Sequence, residues 1–338
     1  MSASSNPELP SEGEPATPKP VGVFKKARAA AAVASDRKQP SRPWTAFAGR
    51  ALLKLTARIP LRGLHALARP VGRIGQCFPV RETRITRTNI DLCFPELSVS
   101  ERRQLVRESL IQTACMAAEL GHFWLRPVAE VQALVVEVVG HEHLTRALDQ
   151  KQGLLLACPH LGAWEIVGQW LGSRVSMTAL YRAPRVREMD SVYTDARRRS
   201  GSSLFPADAS GVRAIFQALS RGEVVALLPD QDPGRGAGVF VPFFGVFANT
   251  STLLPRIASR GKASVLIMFA ERLPRAAGYR LHIVPGSEEI SGPDLERGAR
   301  ALNADIEKCV RMIPAQYLWS YKRFKMRPPG GESLYPEA

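Results

Sequence analysis

The chain is short of acid: 31 Asp and Glu stand against 46 Lys and Arg, a net charge of +15 over 338 residues. Cysteine is sparse too. Its five copies, Cys77, Cys93, Cys115, Cys158 and Cys309, never form a Cys-x-x-Cys pair. An odd, dispersed set argues against a disulfide framework or a zinc ribbon and for reduced thiols. Long apolar runs are missing, and a mean hydropathy of −0.10 excludes a polytopic membrane protein. There is no Gly-x-Ser-x-Gly, no phosphate-loop Gly-x4-Gly-Lys-Ser/Thr and no Gly-x-Gly-x-x-Gly, which removes the familiar nucleophile-elbow, nucleoside-triphosphate and dinucleotide signatures. Hydrophobic residues at 45% and charged residues at 23% exclude global disorder. A chain of this length can bury one large core or two modest ones. Its surplus of base admits nucleic acid, an anionic membrane surface or an acidic partner.

The surplus has an address. Residues 44–87 carry nine bases against Glu82 alone, a net +8 and just over half of the total. Before them, residues 1–43 are rich in Ser, Pro, Ala and Lys without an apolar period, and a disordered tail is expected. Its first residues are acidic and lack an apolar core, unlike an export signal, so a cytoplasmic tail is expected. From Trp44 the pattern changes. Trp44, Phe47, Ala51, Leu52, Leu55 and Ile59 recur at helical spacing, while Arg50, Lys54, Arg58 and Arg62 step by four along another face. Pro60 permits a new start, and Leu61, Leu64, Leu67, Val71, Ile74 and Phe78 continue the stripe past Pro70. A bilayer span needs about 18–20 mostly apolar residues, and the bases between Arg50 and Arg62 interrupt any such run. Two readings stand: helices lying in an anionic lipid interface, or core helices with a solvated basic face. Nucleic-acid binding has no zinc spacing, aromatic RNA motif or recognition helix to support it.

Beyond this, residues 98–125 read as a helix with Ser98 or Ser100 as its N-cap. From about residue 133, strands alternate with helices. Strands are expected at 133–139, 153–158, 176–181, 224–229, 263–270 and 279–284; helices at 163–171, 186–200, 211–220, 252–260 and 294–312. Such alternation implies an α/β fold, a mixed central sheet flanked by helices. Sites in these sheets lie beyond the carboxyl ends of the strands.

The segment from Gly153 to Trp170, GLLLACPHLGAWEIVGQW, runs an apolar strand into Pro159, His160 and Glu165. On one continuous helix, five steps of about 100° would leave His160 and Glu165 about 140° apart. To meet, His160 must lie in the strand-to-helix loop and Glu165 in the first helical turn, a break that Pro159 and Gly162 favour. A neutral imidazole can take a hydroxyl proton, and a carboxylate on its other nitrogen would fix the tautomer and stabilise the imidazolium. The same spacing also suits a histidine packed at a sheet edge beside an exposed glutamate. His141 and His143 have no third metal ligand near them and are expected in a solvated turn, while His65, His122 and His282 are isolated and expected to pack.

Two more segments carry candidates. Asp230 and Gln231 end the strand EVVALLPDQD and lead to Phe243, Phe244 and Gly245, a polar edge beside an apolar wall suited to an acyl chain, or simply a turn and core. Near the end, Tyr317 to Lys325 interleaves aromatics with Lys322, Arg323 and Lys325, suited to phosphate or interface contact, or to a closing strand.

Taken together, the residues from about 44 to 328 resemble the lipid A biosynthesis lauroyl/myristoyl acyltransferases of the lysophospholipid acyltransferase superfamily. The resemblance rests on ordered blocks: Asn89 to Leu97, His160 to Glu165, Tyr181-Arg182-Ala183-Pro184 with Arg199 and Gly201, Asp230-Gln231 with Phe243-Phe244-Gly245 and Thr250, and Tyr317 to Lys325. It implies a glycerolipid acyltransferase-like α/β domain over 80–328, membrane-associated helices over 44–79 and a C-terminal tail over 329–338. It further implies transfer of a fatty acyl chain from acyl carrier protein to a hydroxyl of a lipid A precursor. The place would be the cytoplasmic face of the inner membrane, with inner-membrane lipids as partners and no nucleic acid, metal or cofactor. His160 would be the general base and Glu165 its partner, with Arg182, Asp230, Gln231, Phe243, Phe244, Lys322 and Arg323 binding substrates. The same chemistry on another lipid acceptor, or a non-catalytic peripheral membrane protein, is the alternative. Two departures stand out: the bases Arg50, Lys54 and Arg58 interrupt the N-terminal helix, and Ala183 separates Arg182 from Pro184.

Overall fold

A computed structural model describes residues 43–78, 80–181, 190–261 and 263–336. The expected tail, but for its last residue, lies outside them. The break at Pro60 is present, separating α1 (Pro43–Arg58) from α2 (Leu61–Gly75), which carries Pro70 inside it. Next come α3 (Arg81–Cys93) and the long α4 (Val99–Leu125). Ser98 starts α4 with a capping box, its hydroxyl accepting from the Glu101 N–H while the Glu101 carboxylate accepts from the Ser98 N–H.

The sheet has seven strands in the order β1-β9-β8-β2-β5-β3-β4. These are β1 (Val135–Val139), β2 (Leu154–Ala157), β3 (Met177–Tyr181), β4 (Ser202–Pro206), β5 (Val224–Leu227), β8 (Ser264–Arg272) and β9 (Tyr279–Pro285). Pairs are parallel except β8 with β9. The sheet is therefore mixed, as expected, and its six anticipated strands are all present. β4 was not anticipated, nor was the two-stranded hairpin of β6 (Gly238–Phe243) and β7 (Val246–Ser251).

Both faces of the sheet are covered. Leu155 and Ala157 of β2 face one core and Leu154 and Leu156 the other, the alternation of a central strand buried on both sides. The first core packs against α3, part of α4, α9 (Ala209–Ser220), α10 (Leu253–Gly261) and α11 (Leu295–Met312); the second lies under α6 (His141–Asp149) and α7 (Trp164–Gly172). A short α5 (Val128–Gln132) precedes β1, and α8 (Asp190–Arg199) joins β3 to β4. His141 and His143 open α6 instead of sitting in a turn.

The first two helices bury Leu53, Leu61, Leu64 and Ala68 and leave Phe47, Leu52, Leu55, Leu67, Val71 and Ile74 exposed. A core helix would hide such a stripe, so the core reading of both helices fails for these residues. Among the described residues, no helix is long and apolar enough to cross a membrane.

Beneath α2 sits an ionic network that sequence spacing gave no means of finding. Arg272 of β8 donates twice to Glu119 of α4, both at 2.5 Å, and once to Gln112 Oε1 at 2.9 Å. His65 of α2 meets the same Glu119 carboxylate at 2.5 Å. Burial resists ionisation of Glu119, but Arg272 and His65 outweigh it and hold the carboxyl below the usual range. Removing one partner of a buried pair strands the other. Glu119→Gln is therefore expected to destabilise the fold at neutral pH by about 3–5 kcal/mol in urea unfolding. Because the folded pKa is depressed, this contribution is full above the ordinary glutamate range and is lost as pH falls through the folded value. The gap between wild type and variant should narrow on acidification; a gap independent of pH would contradict the assignment.

Candidate active site

The site grows out of strand register. β2 and β5 are parallel neighbours with Ala157 opposite Leu227. Three residues beyond each of these lie His160 and Asp230, so the two side chains leave the same sheet edge at the same height. Asp230 grips His160 twice: Oδ1 accepts from the ring Nδ1–H at 2.8 Å, and Oδ2 accepts from the main-chain N–H at 2.8 Å. Gln231 follows and places Nε2 3.1 Å from His160 Nε2. With Nδ1 protonated and facing the carboxylate, Nε2 is the lone-pair nitrogen, and the Gln231 amide donates to it. Consecutive residues thus hold the two nitrogens of one ring. A third contact comes from Trp164, edge-on to the imidazole with centroids 5.0 Å apart.

Asp230 is 2% exposed, whereas the His160 side chain retains 13%. Burial opposes the charge on Asp230, but His160 and its two donated hydrogen bonds, with Arg323 beyond, hold the carboxyl below its ordinary range. The carboxylate is ionised at neutral pH and supports positive charge on the imidazole.

This corrects one expectation. His160 does lie in the loop and Glu165 in the first turn of α7, yet the two side chains are not paired. Glu165 instead accepts from Arg197 of α8 at 2.8 Å and from the Trp124 indole N–H of α4 at 3.2 Å. Arg197 in turn lies 4.1 Å over the Tyr193 ring, whose phenol is pushed up to about 12 by burial and by Glu165. The reason is directional: once α7 begins at Trp164, the Glu165 side chain faces α8, while Asp230 already fills Nδ1 and Gln231 fills Nε2. The signal that could have found Asp230 was available, since both carboxyl ends stood at equal offset from their buried apolar strands.

Arg182 lies outside the described residues. Three other candidates are placed differently from expectation. Phe243 and Phe244 are 1% and 6% exposed and belong to the core, not to an open wall. They close the β6–β7 hairpin through a two-residue turn, with Phe244 at φ +50° and Gly245 at +75°. Phe244 is held there by its N–H donating to Glu307 at 2.8 Å, by Phe94 and Trp319, and by Arg311 over its ring. Arg323 is 2% exposed and donates to Asn249 O at 2.7 Å and Thr250 Oγ1 at 2.8 Å, which makes it an internal brace and not a surface base. Lys322 alone of that pair is partly exposed, 5.2 Å over the Tyr335 ring. Tyr335 itself is buried, so the stretch expected as a C-terminal tail is docked at this point.

The loop carrying His160 is shaped by Gly162. It sits at φ +66°, and a Cβ there would come 1.9 Å from the Ala270 carbonyl oxygen. Its neighbour Ala163 donates to that same oxygen at 2.8 Å, anchoring the start of α7 to β8.

A buried carboxylate and an oriented imidazole whose Nε2 is the accepting nitrogen, at the carboxyl edge of an α/β sheet, form an arrangement able to take a proton from a substrate. The family model described as bacterial lipid A biosynthesis acyltransferase matches residues 35–326, and the chain belongs to that family. Among its relatives is the lipid A biosynthesis lauroyltransferase of Escherichia coli K12, 33% identical over 297 residues, or 87% of this chain and 95% of that one. The palmitoleoyltransferase of the same organism is 34% identical over 295 residues, with the same 87% and 95% coverage. A Haemophilus influenzae lipid A biosynthesis acyltransferase is 30% identical over 294 residues, covering 86% and 91%.

Gly162→Ala is expected to cost at least about 1 kcal/mol for the left-handed backbone alone, with the clash against Ala270 added. Urea unfolding reads the loss; an unchanged midpoint would show that the loop tolerates a side chain.

Proposed function

We propose that the protein transfers a fatty acyl chain from the thioester of acyl carrier protein to a hydroxyl of a lipid A precursor, with His160 as general base. The observation that carries this reading is the imidazole held through Nδ1 by Asp230, which leaves Nε2 as the proton acceptor. In the ternary complex the acceptor hydroxyl takes the place of the Gln231 amide at Nε2. As the hydroxyl oxygen attacks the thioester carbonyl, its proton passes to Nε2 and Asp230 stabilises the imidazolium. The tetrahedral oxyanion is met by main-chain N–H groups or a neighbouring base. Collapse expels the thiolate, which recovers the proton from His160. The acyl group passes directly from thioester to hydroxyl, without an acyl-enzyme.

Glu165 and Arg197 act behind this pair, tying α7 to α8 and so fixing Trp164 against the imidazole. The exposed apolar stripes of α1 and α2, flanked by Arg50, Lys54, Arg58, Arg62, Arg69 and Arg73, fit the interface of an anionic bilayer. That surface is the cytoplasmic face of the inner membrane, where donor and acceptor meet. Phosphates on the acceptor and the acidic carrier protein both suit a basic enzyme.

Labelled acyl carrier protein incubated with a lipid A precursor tests the reading. The wild type should transfer label to the acceptor, and His160→Ala should reduce the rate by about 10²–10⁴-fold while still unfolding in one cooperative thermal transition, at a lower midpoint because buried Asp230 loses its ring donor. A His160→Ala rate like that of wild type would overturn the mechanism.

A further inference from the structure

Acyl transfer at His160 needs a donor for the oxyanion, and the His160 loop has no main-chain N–H to spare. His160 N–H donates to Asp230 Oδ2 at 2.8 Å, Leu161 N–H to Pro159 O at 2.7 Å, Gly162 N–H to Gln316 O at 2.9 Å and Ala163 N–H to Ala270 O at 2.8 Å. Four consecutive donors are therefore spent inside the fold. Gln231 is in the opposite position. Its side chain is half-buried, and among the described residues it makes one hydrogen bond, the 3.1 Å contact from Nε2 to His160 Nε2. The residues on either side of it are buried and fixed. Asp230 holds His160 twice. Asp232 donates its N–H to the Tyr321 hydroxyl at 3.0 Å, and its Oδ1 accepts from the Gly234 N–H at 2.7 Å and from Asn249 Nδ2 at 3.0 Å. Asn249 is tied in turn by Arg323, which donates to its carbonyl at 2.7 Å. A pinned main chain thus carries one side-chain amide whose described partner is the very nitrogen the acceptor must reach.

We propose that Gln231 is a catalytic residue: its side-chain amide donates to the thioester carbonyl oxygen and stays with that oxygen as it becomes the tetrahedral oxyanion. This rests on the reading of His160 as the base of acyl transfer. When the acceptor hydroxyl takes the amide's place at Nε2, the amide loses its partner and must find another acceptor or remain unpaired. A hydroxyl oxygen bonded to Nε2 lies about 3–3.5 Å from the carbon it attacks, and the carbonyl oxygen is bonded to that carbon. The Gln231 nitrogen, already in the same shell around Nε2, reaches it by turning about its own side-chain bonds. As the new C–O bond forms, the carbonyl π pair moves onto oxygen, where the amide N–H meets it, and the hydroxyl proton passes to Nε2. On collapse the C–S bond breaks, its electron pair leaves on sulfur, and the thiolate takes the proton from Nε2. The amide is neutral, so it opposes neither the Asp230 carboxylate nor the imidazolium, and its hydrogen bond strengthens as negative charge develops. Its effect therefore falls on the transition state and not on substrate binding.

Transfer from labelled acyl carrier protein to the lipid A precursor is measured for Gln231→Met, which keeps the length and removes the donor, and for Gln231→Glu, which keeps the shape and puts a negative acceptor in its place. Gln231→Met should lower kcat by about 10²–10³-fold with KM for both substrates unchanged. Gln231→Glu should lose at least as much. A tetrahedral phosphonate that mimics the addition intermediate should inhibit the wild type and lose affinity in Gln231→Met by the same factor as kcat, a parallel that a merely structural role would not produce. Wild-type kcat in Gln231→Met, or a loss carried by KM alone, would overturn the inference. If thermal unfolding shows Gln231→Met unfolded, Gln231→Glu and its phosphonate affinity are read in the same way. Failure of the base assignment looks different: His160→Ala would then transfer at the wild-type rate, whatever the Gln231 variants do.

Discussion

The two-handed grip of Asp230 on His160 is the contact on which the rest of the site depends. One carboxylate oxygen sets the ring and the other sets the main chain of the same residue, so tautomer and loop position are decided together. The grip exists because β2 and β5 are parallel neighbours whose last paired residues stand three positions before His160 and Asp230. A slip of one residue in that register would turn one of the two strands over and separate the pair. Burial strengthens the interaction and would make it costly to break, since an ionised carboxylate out of water must keep its donors.

Around this contact the fold deals with buried charge in three ways. Glu119 and Arg272 neutralise one another directly, with His65 tying α2 to the same point. Glu165 and Arg197 form a second pair, closer to the site, that joins α7 to α8. Among the described residues no carboxylate is in hydrogen-bonding contact with Arg323; the Asn249 carbonyl, the Thr250 hydroxyl and the Asn303 amide oxygen accept from it, and the Phe243 ring lies beneath it. The polar links at Arg272 and Gln316 lie directly behind the His160 loop. The candidate site is thereby continuous, through packed and bonded elements, with the helices that carry the exposed apolar stripes.

Much of this was legible in the chain itself, and the limits are physical. Periodicity located the strands that are buried on both sides, because runs such as Leu154–Ala157 and Val224–Leu227 admit little else. It missed β4, whose Ser202–Pro206 is short and half polar, and the β6–β7 hairpin, whose turn uses Phe244 where glycine or asparagine would be the usual sign. The H-x4-E spacing placed His160 in a loop and Glu165 on a helix, as the structure has them. Spacing along a chain says nothing about which carboxylate arrives from another strand, however, and so the partner was misread. Arg323 was misread for a related reason: basic residues near a chain end resemble a solvated cluster until the core that accepts one of them is seen. Asn89 lay in a segment that the resemblance singled out, but its hydrogen bonds to the Trp319 and Tyr321 carbonyls are a property of the fold alone.

The most direct test of the Asp230 grip is the NMR signature of the His160 ring nitrogens, recorded at mildly alkaline pH in the wild type, in Asp230→Asn and in Glu165→Gln. Nδ1 should be protonated and Nε2 bare in the wild type and in Glu165→Gln, with the preference for Nδ1 lost in Asp230→Asn. A tautomer that survives Asp230→Asn and collapses in Glu165→Gln would contradict the assignment and return the role to Glu165.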